Sequence, residues 1–283
     1  MTAKAGVVGW PIAHSLSPVL HGHWLKQYGI DGRYERIAIE PGTFPQRMEK
    51  LRAAGYRGVN VTVPYKEEAF HLADKVSDEA QIAGAANLLV FNQDGTIRAD
   101  NTDAFGLAKS LSQAIGLGKL HGRKAVVLGA GGAARAAVLA LISPLGATPI
   151  HILNRNIDRA HSLARHFSRK ADSQLFVGTF DDWPKAARDA TLLINATSAG
   201  MVGADPLALD LEPLPISAAV CDIVYNPLET DLLRRAKARG HITIDGLGML
   251  MHQAAPSFKA FFGHDPEVTK ALRDTLVEAL GAR

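Results

Sequence analysis

Apolar residues along this chain recur in two rhythms. Short runs of strand length, at residues 5–10, 33–39, 88–91, 149–153, 175–178, 192–195, 219–224 and 241–245, alternate with segments whose apolar positions return every third or fourth residue. The first rhythm belongs to strands and the second to helices that cover them. Helices are predicted over residues 19–28, 45–54, 67–75, 104–115 and 133–142, with two more between Gly246 and Leu280; in the fourth of these, Leu107, Leu111 and Ile115 form one apolar stripe. In residues 58–64 Val59, Val61 and Val63 take one face of a strand and Asn60 and Thr62 the other, until Pro64 stops the ladder. Residues 88–91 and 96–99 read as a hairpin around Asp94-Gly95. Strands alternating with helices over 283 residues predict an α/β protein of two domains, too long for one small core. We expect an α/β domain with a mixed sheet over residues 1–103, a doubly wound Rossmann-type domain over 104–245, and helices over 246–283 that return to the first domain.

The clearest local signal is Lys124-Ala-Val-Val-Leu-Gly129-Ala130-Gly131-Gly132-Ala133-Ala134, an apolar strand followed by Gly-x-Gly-x-x-Ala and a run of helix formers. Gly129 lets the chain turn sharply off the strand. Gly131 keeps no side chain between backbone and ligand, and Ala134 lets helix and strand pack closely. The unpaired N–H groups at the start of such a helix suit a pyrophosphate. The next strand, Pro149-Ile-His-Ile-Leu153, ends in Asn154-Arg155-Asn156, where an enzyme that grips a ribose 2′-hydroxyl carries Asp or Glu. A guanidinium there clamps a 2′-phosphate, and Arg159, one helical turn on, adds charge, so NADP(H) is expected over NAD(H). Asp158 in the same loop is the one residue that speaks for a ribose hydroxyl.

Composition narrows the classes. With 47% apolar and 21% charged residues and a net charge of +3, the chain reads as an ordinary soluble protein. It has no basic block or aromatic-basic stripe to hold nucleic acid, no leader and no membrane-spanning run, so a cytoplasmic protein is expected. The single cysteine, Cys221, lies in an apolar strand and reads as a packed thiol. His21 and His23 are two apart on a helix with no other ligands near in sequence, and no metal site is expected.

Several polar residues stand where chemistry is expected. Ser15 and Ser17 precede a helix with Pro18 at its first position; they serve either as caps or as a small anion site suited to a carboxylate. Asn60, Thr62 and Lys66 point one way at a strand end. Asp103 opens a helix, either as its cap or as a carboxylate facing a crevice. Asn195, Thr197 and Ser198 end a strand on the cofactor side, and Tyr225 follows the next strand. Met249 and Met251 read as packing.

Assembled, these residues resemble the shikimate dehydrogenase family over nearly the whole length. The motifs are Ser15-Leu-Ser17, Asn60-Val-Thr-Val-Pro-Tyr-Lys66, Ala85-Ala-Asn87, Asn101-Thr-Asp103, Gly129-Ala-Gly-Gly-Ala133, Asn154-Arg155, Asn195-Ala-Thr-Ser-Ala-Gly-Met201, Asp222-Ile-Val-Tyr225 and Gly246-Leu-Gly-Met-Leu-Met-His-Gln253, in order. The resemblance implies NADP-dependent reduction of 3-dehydroshikimate to shikimate, in the pathway to aromatic amino acids, by two α/β domains around a cleft. It implies that Lys66 and Asp103 are the catalytic pair, that Ser15 and Ser17 hold the substrate carboxylate, and that Thr62, Asn87, Gln253 and Tyr225 surround the ring. Coenzyme contacts would come from Gly129, Ala130, Gly131, Gly132, Ala133, Asn154, Arg155, Asn156, Arg159, Thr197, Ser198, Ile223 and Gly246. The pair's chemistry follows directly: as hydride reaches a carbonyl carbon, charge grows on oxygen, which a nearby ammonium stabilises or protonates. Three positions depart from the family pattern. Leu88 stands for Thr after Asn87, Ala104 for Gly after Asp103, and Asn156 for Thr in the loop at Arg155. The first two bear on the choice of substrate and the third on the cofactor. A quinate or dual quinate/shikimate dehydrogenase using NAD is the nearest alternative, and a non-catalytic dinucleotide sensor the next. Monomer and homodimer are both compatible with the sequence.

Overall fold

The computed structural model describes residues 2–116, 118–168 and 174–282. Along the chain run β1 (Ala3–Gly9), α1 (Ser17–Gln27), β2 (Gly32–Ala38), α2 (Phe44–Ala53), β3 (Tyr56–Val61), α3 (Lys66–Leu72), β4 (Lys75–Val76), α4 (Asp78–Ala83), β5 (Leu88–Phe91), β6 (Ile97–Asp100) and α5 (Asp103–Ile115). They are followed by β7 (Ala125–Leu128), α6 (Gly132–Ile142), β8 (Ile150–Leu153), α7 (Ile157–Ser168), β9 (Leu175–Gly178), α8 (Trp183–Ala187), β10 (Leu192–Asn195), β11 (Ala219–Asp222), α9 (Asp231–Ala238), β12 (Ile242–Ile244), α10 (Gly246–Phe262) and α11 (Lys270–Gly281). Two compact units result, Met1–Asp103 with Met251–Arg283, and Ala104–Leu250, so the second crossing falls inside α10 rather than at its first residue.

The first unit holds a six-stranded sheet of order β2-β1-β3-β5-β6-β4. β1 pairs in parallel with β2 and β3, β5 runs antiparallel to β3 and to its hairpin partner β6, and β4 returns parallel to β6. Phe44 and Met48 of α2 and Tyr65 pack on Val8, Ile37, Val59, Val61 and Leu89 in one buried cluster. Strand alternation puts Tyr34 on the other side of β2 from Ile37. There its ring stacks on His21 of α1 with centroids 3.8 Å apart, beside Phe261 of α10.

Three local differences from the sequence reading have clear causes. The helix expected over residues 67–75 ends at Leu72, because Asp74 turns toward the hairpin: its N–H donates to Ile97 O at 2.9 Å and its carboxylate accepts from Ile97 N at 2.8 Å. Lys75 and Val76 then pair with Arg98 and Ala99 as a strand. Ser77 caps the unpredicted helix α4 by accepting from Ala80 N at 3.1 Å. At α1 the N-cap is Leu16, already helical at φ −87°, ψ −8°, with no side-chain cap, so neither Ser15 nor Ser17 performs that task.

The second unit is a parallel six-stranded sheet of order β12-β11-β10-β7-β8-β9. Numbered from its own first strand, this is 6-5-4-1-2-3, the doubly wound dinucleotide-binding order. Every residue of β7, β10 and β11 is buried, which is why these strands read as continuous apolar runs rather than alternating ones. Val126, Leu128, Leu193 and Val220 pack with Trp183 of α8 and with Leu232 and Leu233 of α9. The winding reverses between β7 and β10, and the chain leaves both strands there. Gly129 sits at φ +108°, and a Cβ on it would stand 3.0 Å from Ala196 O, so the turn needs glycine for both conformation and space.

Candidate functional site

Lys66 opens α3 just past the turn that ends β3, and Asp103 opens α5 just past β6. β3 and β6 flank β5 in the sheet, which brings these distant parts of the chain together. Lys66 Nζ donates to Asp103 Oδ2 at 2.5 Å, with side-chain exposures of 22% and 9%. The other oxygen, Oδ1, accepts from Asn87 Nδ2 at 2.8 Å, and Gln253 Oε1 lies 3.3 Å from the same nitrogen. Asp103 is therefore held through both oxygens by partners outside its own helix and is no cap; its N–H is met at 3.1 Å by Asn101 Oδ1. Asn87 is itself oriented, since its Oδ1 accepts from Thr102 N at 2.8 Å. Thr102 Oγ1 donates to Gln253 O at 2.8 Å and so ties α10 to the same turn.

The two serines form a second group. Ser15 Oγ lies 3.2 Å from Ser17 Oγ and accepts from Ser17 N at 3.3 Å. Ser17 is buried and hydrogen-bonds Tyr34. The Tyr34 hydroxyl donates to Asn60 Oδ1 at 2.7 Å, and Asn60 Nδ2 donates to Ser257 Oγ at 2.7 Å and Asn87 O at 3.1 Å. A continuous buried chain of hydrogen bonds thus joins the serine pair to the residue that holds Asp103. Burial pushes the Tyr34 hydroxyl well above its ordinary value, partly opposed by the bond from Ser17, so it stays protonated and donates. Thr62 is half-buried beyond the end of β3, its N–H bonded to Val8 O at 2.9 Å.

In the second unit α6 begins at Gly132 behind an extended Gly131, and among the described residues no side chain caps its first N–H groups. A Cβ at Gly131 or Gly132 would meet nothing within 4 Å, so open space lies over this helix start. Asn156 accepts from Asp158 N at 3.0 Å and Arg159 N at 3.2 Å, starting α7, while Asn154 Nδ2 donates to Asn156 O at 2.7 Å. This self-bonded loop leaves Arg155 and Arg159 exposed. A cavity of about 320 Å³ is lined by Arg155, Phe180, Thr197, Ser198, Asp205 and Leu207, among others. An uncapped helix start, open space above it and exposed guanidiniums suit a phosphorylated dinucleotide. Ile223 N donates to Asn195 O at 3.1 Å, and Tyr225 lies three residues past β11, half-buried. A Cβ at Gly246 would lie 2.0 Å from Ile223 O, so only glycine fits there. Cys221 is buried, and burial drives its thiol far above its ordinary range, which leaves it inert.

Hydrogen bonds thus bring Lys66, Asn87, Asp103 and Gln253 into one group and Ser15 with Ser17 into another. Thr102, Tyr34 and Ser257 complete the network without having been singled out from the sequence. Thr102 lies within Asn101-Thr-Asp103, a signal legible in the sequence; Tyr34 and Ser257 carry no local signal.

A parallel sheet in the dinucleotide order, and a mixed-sheet unit carrying a largely buried lysine–aspartate pair, define a two-unit α/β protein of the dinucleotide-dependent oxidoreductase class. A family model described as the shikimate dehydrogenase substrate binding domain matches residues 7–89, and one described as shikimate / quinate 5-dehydrogenase matches residues 109–203. The chain is 49% identical over 281 residues to the shikimate dehydrogenase (NADP(+)) of Methylobacterium radiotolerans, covering 99% of this chain and 98% of that relative. The solved shikimate 5-dehydrogenase of Thermus thermophilus, in complex with NADP(H) and shikimate, is 37% identical, with a TM-score of 0.83 over 99% of each chain. The quinate dehydrogenase of Corynebacterium glutamicum, in complex with NAD, is 29% identical, with a TM-score of 0.90 over 98% of this chain and 99% of that one. The chain belongs to the shikimate dehydrogenase family. Among the described residues, no helix is long and apolar enough to cross a membrane.

Proposed function

We propose that this protein catalyses the reversible reduction of 3-dehydroshikimate to shikimate with NADPH, as a step toward aromatic amino acids. The observation that carries the reading is the Lys66–Asp103 pair, closed at 2.5 Å and braced by Asn87, in a chain so similar to relatives named for this activity. The coenzyme, when bound, supplies the hydride. Lys66 stabilises the charge that grows on the carbonyl oxygen and gives it a proton; in the oxidative direction the neutral amine takes the hydroxyl proton back. Asp103 orients the ammonium and accepts from a ring hydroxyl, and Asn87 and Gln253 hold neighbouring oxygens. Ser15 and Ser17 take the carboxylate, a task left open to them because neither caps α1. Thr62 and Tyr225 complete the set of substrate contacts.

For the coenzyme, the reading assigns the pyrophosphate to residues 129–133 and the helix start behind them. The 2′-phosphate goes to Asn154, Arg155, Asn156 and Arg159, with Thr197, Ser198, Ile223 and Gly246 along the remainder. β8 ends in Asn154 and Arg155 rather than a carboxylate, which supports NADP(H) over NAD(H). The first unit is then the substrate unit and the second the coenzyme unit, in a cytoplasmic enzyme that is a monomer or a homodimer. Steady-state rates with shikimate and quinate, each with NADP and NAD, test the whole reading. The expected outcome is the highest kcat/KM for shikimate with NADP; a higher value for quinate with NAD would replace it with quinate dehydrogenase, and no turnover with any combination would point to a sensor.

A further inference from the structure

One fully buried carboxylate of the coenzyme unit has no part in the reading above. Asp222 ends β11 and stands in register beside Asn195, which ends β10. Asp222 Oδ1 accepts from Asn195 Nδ2 and from Val224 N, each at 3.1 Å, and Oδ2 accepts from Thr230 Oγ1 at 2.7 Å. Asn195 faces the other way with its remaining groups. Its Oδ1 accepts from Thr197 N at 3.1 Å and Thr197 Oγ1 at 2.7 Å, and its Nδ2 reaches Ala199 O at 3.3 Å. Two side chains at adjacent strand ends therefore fix the first residues of two loops, one carrying Thr197 and Ser198 and the other Ile223 and Tyr225. We infer that Asp222 is a positioning residue for the coenzyme, acting through Asn195 on the first loop and through the Val224 N–H on the second. The inference rests on the coenzyme assignment proposed above. A carboxylate at this site is costly, since burial pushes its pKa up against the opposing bonds from Thr230, Val224 and Asn195. It accepts three hydrogen bonds at once in fixed directions, which an apolar side chain of that size cannot do.

The test compares NADPH affinity, by calorimetry on the full chain, across the wild type and three variants, with thermal melts on each. Asp222→Ala is expected to weaken NADPH by about tenfold or more, the scale of losing one or two ordering hydrogen bonds. Asp222→Asn keeps an oxygen for Asn195 and Val224 and turns its amide to Thr230, so it is expected to bind within about threefold of wild type. Thr230→Val removes a partner that reaches neither loop through Asn195; it should lower the melting temperature yet also bind within about threefold. A folded Asp222→Ala that binds as wild type does, or a Thr230→Val that weakens binding as much as the alanine variant, would overturn the inference. Should Asp222→Ala not fold, Asn195→Ala probes the same clamp from its other side, and wild-type affinity there overturns it equally. A wild type that binds no NADPH would instead defeat the coenzyme assignment itself.

Discussion

Acid should unfold this protein earlier than a carboxylate tally implies, and His21 is the reason. Its ring is fully buried, lies parallel to Tyr34 at 3.8 Å and touches Trp24 and Phe258, and among the described residues neither ring nitrogen has a hydrogen-bond partner. Burial lowers its pKa from 6.5 to about 3. In the unfolded chain the imidazole charges as pH falls through its ordinary value, while in the fold it stays neutral, so the unfolded state binds more protons. Stability from this residue is complete above the unfolded pKa and is lost as pH falls toward the folded one. At pH 5 the unfolded state has gained about 2 kcal/mol from this one group, a sizeable share of a domain's usual margin. His21→Phe keeps an aromatic ring in the same stack and removes the titration. Urea unfolding of both proteins between pH 8 and pH 5 gives a difference in which every other group cancels. The gap between variant and wild type should move in the variant's favour by about 2 kcal/mol across that range. Parallel stability profiles would refute the argument, because they would mean that the buried ring is protonated in the fold or reached by water.

Other substitutions test the site. Lys66→Ala is expected to lower kcat by roughly 10²–10⁴-fold with a smaller effect on KM for shikimate, as for a general acid, and activity within a few-fold of wild type would remove Lys66 from that role. Arg155→Ala should weaken NADP(H) far more than NAD(H) in titrations of both; equal losses would argue against a 2′-phosphate contact. Gly246→Ala places a carbon 2.0 Å from Ile223 O and should cost about 1–3 kcal/mol or more in urea melts, whereas Gly131→Ala, with open space around it, should cost less stability and more coenzyme affinity.

What the sequence disclosed was whatever is decided within a few residues. The strand, glycine turn and helix start at residues 125–142 depend on local conformation and an unpaired helix end, and both are visible in the letters. The hairpin at Asp94-Gly95 is of the same kind. Lys66 and Asp103 carried a weaker signal singly and a strong one as members of ordered motifs. The rest depended on partners far away in the chain. Lys75 and Val76 are too short a run to read as a strand from sequence, although Val76 favours one; they are a strand because Asp74 is bonded to Ile97 and β6 offers an edge. Tyr34 and Ser257 lie 223 positions apart and meet only through Asn60, so no window of sequence contains the network. Ser17 illustrates the opposite error, a residue with a local role available that the structure does not use, since the chain has already entered the helix at Leu16.

The first unit is discontinuous, and this bears on how the protein is made. Phe258 and Phe261 stand against the rings of His21 and Tyr34, Ser257 saturates Asn60, and Trp24 Nε1 bonds Glu267 O at 3.0 Å, so the first strands close their core with residues made some 200 positions later. During translation the contiguous middle segment has all its partners as soon as it emerges, while the N-terminal segment waits with aromatic surface uncovered. The two units should therefore be completed in the reverse of their order in the gene, and a nascent chain that has emerged through Leu250 with Phe258 still inside the ribosome should hold a finished parallel sheet and an unfinished mixed one.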